Sequence, residues 1–113
     1  MTKKYQKIRR TPSFIAAYSE MRSYLRYSSP LAFVALPTAM KTVLDVIDRH
    51  SRSWPVKRKH LGGIECEFHH AIIDLAYRRL HIRYFVDNYD ESYLLAVWVD
   101  GHDEPDYIID HSV

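Results

Sequence analysis

The hydrophobic and polar positions of this chain follow one period up to about residue 50 and another after it. Phe14, Tyr18, Met21 and Leu25 recur every three or four residues, the spacing of one helical face. Thr11-Pro12 before them reads as a cap followed by proline at the first helical position, so a helix is predicted from there to about Tyr27. Ser28-Ser29-Pro30 repeats the signal and opens a second helix, which Met40, Val43, Leu44 and Ile47 carry to about Arg49. Leu36-Pro37 predicts a kink or restart inside it, because proline removes a backbone donor and crowds the preceding turn. The two helices should form a hairpin.

Later the period becomes two. In Tyr77 to Val86, Leu80, Ile82, Tyr84 and Val86 share one side of a strand, while Arg79, His81, Arg83 and Phe85 share the other. One face is core and the other is a basic, aromatic stripe. Tyr93 to Val99 is apolar on both faces, which predicts a central, covered strand, and Asn88-Tyr89-Asp90-Glu91 is the turn before it. Ile64 to Ile73 fits both periods; the glycines at 62 and 63 and the strand that follows favour a strand. Ser51 to Gly63 has no periodicity and reads as a basic loop, Tyr5 to Arg10 as a short first strand, and Tyr107-Ile108-Ile109 as a last one after the connector Asp100 to Asp106. The expected architecture is α+β, an N-terminal strand and a helical hairpin packed on an antiparallel sheet, with residues 1–113 forming a single domain.

A chain of 113 residues is long enough for one hydrophobic core, and 47% hydrophobic with 27% charged residues is the balance of a globular protein. No apolar run approaches the roughly 18 residues of a membrane helix. The basic N-terminus lacks an apolar signal core, and a lone cysteine, Cys66, makes no internal disulfide; a cytoplasmic location with no membrane partner is the expectation. The net charge is only +2, so attraction to nucleic acid depends on placement. Placement is uneven: Lys3 to Arg10 and Arg52 to His60 are basic, whereas Asp87 to Glu91 and Asp100 to Asp106 are acidic.

Two arginines and a histidine in register on one strand face invite a functional reading, against the plain alternative of a solvated cationic face. Seven histidines raise the question of a metal, but no HxH, HxxxH or paired-cysteine pattern occurs. No glycine-rich phosphate cradle is present either, so neither metal nor cofactor is expected.

The order of elements resembles the RelE/ParE superfamily of bacterial toxins from type II toxin-antitoxin pairs, over nearly the whole chain. The resemblance rests on Ser29-Pro30 opening the second helix, Trp54-Pro55 with the Lys57 to Gly63 loop, Tyr77-Arg78-Arg79-Leu80-His81-Ile82-Arg83-Tyr84 as an arginine-bearing strand, and Gly101-His102 through Tyr107 as a terminal turn and tyrosine. It implies one of two activities: RelE-like members cut messenger RNA in the ribosomal A site, and ParE-like members poison DNA gyrase. It also implies a cognate antitoxin as partner, covering the basic face.

Metal-free RNA cleavage needs a base for the 2'-hydroxyl, a cation for the phosphate and an acid for the leaving oxygen. On the RelE-like reading Arg79 and Arg83 clamp the phosphate, His81 is base or acid, His102 is a second acid-base candidate, Tyr107 stacks or transfers a proton, and Lys57, Arg58 and Lys59 bind RNA. The structural alternatives are cross-strand pairing of Arg79 and Arg83 with Glu65 and Glu67, a half-buried His81, a solvated loop at 57–60, and a core or edge Tyr107. One departure counts against catalysis. Asp100, Asp103, Glu104 and Asp106 stand where RelE-like nucleases usually offer lysine or arginine, and carboxylates repel a scissile phosphate. A gyrase inhibitor or a non-catalytic binding module on the same fold is therefore the alternative.

Overall fold

In the computed structural model, residues 7–54, 56–61, 64–87 and 89–102 are described. Their order is β1 (Ile8–Arg10), α1 (Pro12–Ser28), α2 (Pro30–Arg49), β2 (Val56–Leu61), β3 (Ile64–Leu75), β4 (Arg78–Val86) and β5 (Ser92–Val99). The strands form one sheet in the order β1-β5-β4-β3-β2, with both helices packed on it. The class is α+β, as the periodicities require. The sheet is mixed rather than wholly antiparallel, because β1 lies parallel to β5 while every other pairing is antiparallel. The crossover from β1 to β5 through the helices is what permits that direction.

Proline takes the first turn of both helices, but only α1 has a side-chain cap: Ser29 before α2 makes no cap hydrogen bond with its side chain. The Thr11 hydroxyl accepts from the Phe14 amide at 3.3 Å, capping α1, and also donates to the Leu94 carbonyl at 2.6 Å, so the cap is stitched to β5. Phe14, Met21 and Leu25 on α1 and Leu36, Val43 and Ile47 on α2 are buried against the sheet face formed by Ala71, Leu75, Leu80, Ile82, Tyr84 and Val97. Contrary to the expected kink or restart, α2 runs unbroken through Pro37. Pro37 lies on the exposed side, where water can serve the carbonyl its missing N–H frees, while Leu36 and Met40 beside it stay buried. α2 is also long and apolar enough by composition to cross a membrane, with a mean hydropathy of 1.5, which corrects the expectation that no run approached that length. Six of its residues are buried in the fold.

The expected basic loop is in part a strand: residues 56–61 form β2, paired antiparallel with β3. Its VKRKHL sequence has no hydrophobic alternation to announce it, and basic residues are common on sheet edges, where they discourage further pairing. The ambiguous segment is a strand, β3, and β5 is interior between β1 and β4. β5 is apolar on both faces because both are covered, Val97 and Val99 on the helix side and Ala96 and Trp98 on the other, and a register shift adds to this. Arg83 pairs with Ala96 but Tyr84 pairs with Leu94, so Leu95 is extra, and the bulge turns Leu94 onto the helix-covered face. Ser13 donates to the Leu95 carbonyl at 3.0 Å, fixing the bulge to α1. The expected strand at 107–109 lies outside the described residues.

Candidate functional site

The register of β3, β4 and β5 decides which polar residues meet on the sheet face away from the helical core. His70 lies opposite Arg83, Ile72 opposite His81 and Asp74 opposite Arg79, while β5 sets Trp98 opposite His81 and Ala96 opposite Arg83. Glu65 and Glu67 pair in register with His60 and Arg58 of β2, so the expected cross-strand partners of Arg79 and Arg83 are replaced by Asp74 and His70.

Four side chains form a continuous chain of contacts. The His81 Nε2 is 2.6 Å from Asp100 Oδ1, His81 Nδ1 is 2.9 Å from His70 Nε2, and His70 Nδ1 is 3.4 Å from an Arg83 guanidinium nitrogen. Trp98 supports it from the side: its ring stacks on His81 at 5.1 Å with 6° between planes, and the Arg83 guanidinium lies over it at 5.5 Å. This face is not the solvated cationic face of the plain alternative. Arg83 is 2% exposed, and His70, Phe68, Ala96 and Trp98 are buried with it. Arg79 is exposed and His81 intermediate, so accessibility falls along β4 from Arg79 to Arg83.

Asp100 sits where the two faces of the sheet end meet. Its amide donates to the Arg79 carbonyl at 3.1 Å, and its own carbonyl accepts from Arg78 at 3.1 Å. Its side chain, 53% exposed, reaches His81. Arg78 also donates to the Tyr24 hydroxyl at 3.0 Å with its guanidinium over the ring, and this hydrogen bond is the main cause that lowers the Tyr24 phenol from its ordinary range. Gly101 follows with φ of +87°, a conformation that favours glycine. His102 then turns to α1, its ring 4.6 Å from Tyr24 and its Nε2 3.7 Å from Glu20. Among the described residues its contacts run to α1, and the structure does not bring it to His81.

At the opposite end of the sheet the contacts are fastenings. Tyr84, buried in the core, donates to the Ser51 carbonyl at 2.5 Å, and burial pushes its hydroxyl up. His69 stacks on Tyr84 at 5.3 Å and donates from Nδ1 to the Trp54 carbonyl at 2.9 Å. Arg52 binds the Asp90 carboxylate and the Asp87 carbonyl, joining the α2–β2 connection to the β4–β5 turn. Inside that turn the Asp87 carboxylate accepts from the Tyr89 and Glu91 amides and from Tyr93, whose hydroxyl is pushed up to about 12 by burial and by its bonds to Asp87 and Glu91. A cleft of about 180 Å³ between the helices is lined by Arg10, Phe14, Ile15, Tyr18, Met40 and Leu44; apart from Arg10 and Tyr18 it is apolar, with no acid-base constellation.

Of the residues picked from sequence, the structure brings His81 and Arg83 into one cluster, leaves Arg79 exposed at its rim and sends His102 elsewhere. Lys57, Arg58 and Lys59 have their backbone in β2 rather than a loop, and their side chains and Tyr107 lie outside what is described. The alternation did not single out His70, Trp98 or Asp100 as members. The signal was available in part, since the two-residue Ala76-Tyr77 connection fixes the β3–β4 register that sets His70 against Arg83. Among the described residues no group of three histidine, cysteine or carboxylate side chains is placed to hold a metal ion. No family model, curated protein or solved structure matches the chain.

Proposed function

We propose that this protein is a RelE-like toxin of a type II toxin-antitoxin pair, a metal-independent endoribonuclease that cuts messenger RNA at the ribosome and so inhibits translation. The observation that carries the reading is the His81–Asp100 pair at 2.6 Å, with a half-exposed carboxylate and the exposed Arg79, whose backbone carbonyl accepts from the Asp100 amide. A proton-transfer pair beside an accessible cation is the minimum that phosphodiester cleavage through the 2'-hydroxyl requires. Arg79 would meet the phosphate, whereas Arg83, buried behind the histidines, acts on the site from within. The partners on this reading are a cognate antitoxin and the mRNA–ribosome complex, in the cytoplasm, and residues 1–113 work as one unit.

A second reading, a non-catalytic binding module on the same fold, is favoured by one observation: Arg83 is too buried to join Arg79 in a phosphate clamp. Induction in bacteria with mapping of messenger RNA ends separates the two. Cuts inside open reading frames, lost in His81→Leu, support the ribonuclease. Growth arrest with intact transcripts and DNA breaks points instead to gyrase, and no arrest with intact transcripts favours the binding module.

A further inference from the structure

The Arg83–His70–His81–Asp100 contacts have a direction fixed at both ends. A guanidinium only donates and a carboxylate only accepts. Read from Arg83, the Nδ1 of His70 must accept; a neutral His70 then carries its proton on Nε2 and donates to His81 Nδ1. A neutral His81 in turn carries its proton on Nε2 and donates to Asp100. Starting from Asp100 and working back gives the same two tautomers, so with both rings neutral a single directed arrangement satisfies all three contacts.

The consequence falls on Asp100. Both nitrogens of His81 are engaged, one accepting from His70 and one donating to Asp100, so His81 offers no lone pair to a substrate. The exposed group in the chain with acceptor capacity left is the Asp100 carboxylate. We infer that Asp100 is the catalytic base of this site and that His81 and His70 are positioning residues that orient it. The inference rests on the ribonuclease reading and names the residue that reading needs. Asp100 takes the proton of the 2'-hydroxyl; the 2'-oxygen forms a bond to phosphorus as the bond from phosphorus to the 5'-oxygen breaks, the leaving oxygen takes a proton from water, and the hydroxide so formed takes the proton from Asp100 to restore the carboxylate. The products are a 2',3'-cyclic phosphate and a 5'-hydroxyl. Among the described residues the titratable and charged groups around Asp100 are His81, Arg78 and the Arg79 segment of β4, with His102 two residues on and Glu20 of α1 behind it.

The test uses the full chain with an mRNA substrate on ribosomes. Asp100→Asn is expected to lower the cleavage rate by about a hundredfold or more and to abolish the acid limb of its pH profile. His81→Gln keeps a donor toward Asp100 and is expected to stay within about tenfold of the parent, while His81→Leu loses it and falls further. ¹⁵N NMR of the free protein above pH 8 should show both rings protonated on Nε2 and bare on Nδ1. Cleavage undiminished in Asp100→Asn, with His81→Gln as impaired as His81→Leu, overturns the assignment and makes His81 the base. A proton on His81 Nδ1 overturns the directed chain. If the parent cuts no RNA, the ribonuclease reading fails and the assignment with it, whereas loss confined to the assignment leaves the parent's cleavage intact.

Discussion

A double-mutant cycle between His81 and Asp100 measures whether their 2.6 Å contact is an energetic link or a coincidence of packing. A hydrogen bond to a charged group contributes about 1.5–3 kcal/mol when buried. Here the carboxylate is 53% exposed, so water competes and about 1 kcal/mol is the expected value. Asp100→Ala removes that bond but leaves the backbone contacts to Arg78 and Arg79, which use main-chain atoms. His81→Leu removes the same bond and also takes the acceptor from His70 Nε2, a buried donor, so it should cost about 2–3 kcal/mol. In the His81→Leu background Asp100→Ala should then cost close to nothing, giving a coupling of about 1 kcal/mol, against which independent sites add within about 0.3–0.5 kcal/mol. Urea unfolding of the four proteins, with unchanged m-values, gives the numbers. If Asp100→Ala costs the same in both backgrounds, the two groups do not interact and the directed chain fails at its outer end.

Tyr84→Phe should cost about 1 kcal/mol, a melting shift of roughly 4 °C, because the ring still fills its place and only the bond to the Ser51 carbonyl is lost; calorimetry showing no shift would remove that bond from the account. Gly101→Ala should destabilise by roughly 1–2 kcal/mol, since φ of +87° strains any Cβ and the new atom would stand 3.3 Å from Arg78; a neutral result in urea would mean the turn relaxes freely. The Arg52 hydrogen bond and charge hold the Asp90 carboxyl below its usual range. That stabilisation is therefore present above about pH 4, the unfolded value, and is lost as pH falls through the lower folded value. Wild-type protein should lose part of its advantage over Arg52→Ala in acid unfolding as pH falls below about 4, the share that remains coming from the bond to the Asp87 carbonyl, and an advantage that does not shrink with falling pH would refute the pairing.

What the sequence could show was whatever depends on neighbours along the chain. Thr11-Pro12 marks a helix start because capping and proline geometry are local, Pro30 marks the next by proline geometry alone, and Leu80, Ile82 and Tyr84 mark a core face because a strand's period is exact enough to survive in one segment. β2 was hidden for the complementary reason: what makes residues 56–61 a strand is the backbone of β3, and VKRKHL carries no mark of it. The burial of Arg83 was hidden in the same way. Alternation places it correctly on the second face of β4, but whether that face is wet depends on the elements around it, and the pairing with His70 comes from a register no single segment states.

The acidic residues carry the same lesson with the opposite sign. Counted along the chain, Asp87 to Glu91 and Asp100 look like unopposed negative charge that would repel a nucleic acid. In the fold the first group is engaged: Asp90 and Asp87 with Arg52, Glu91 with Arg9 at 3.3 Å, and Asp87 with two amides and Tyr93. It is a fastened turn at one end of the sheet. Asp100 is at the other end, and there its charge terminates a chain that begins on a buried guanidinium, so the negative group and the basic stripe belong to one electrostatic unit. A carboxylate held by a hydrogen bond at the end of such a chain is a better-oriented acceptor for a hydroxyl proton than a bare one. Asp103, Glu104 and Asp106 lie outside the described residues, but Asp100, the fourth carboxylate that counted against catalysis, is on the proposed ribonuclease reading the acceptor that the histidine, with both nitrogens occupied, lacks.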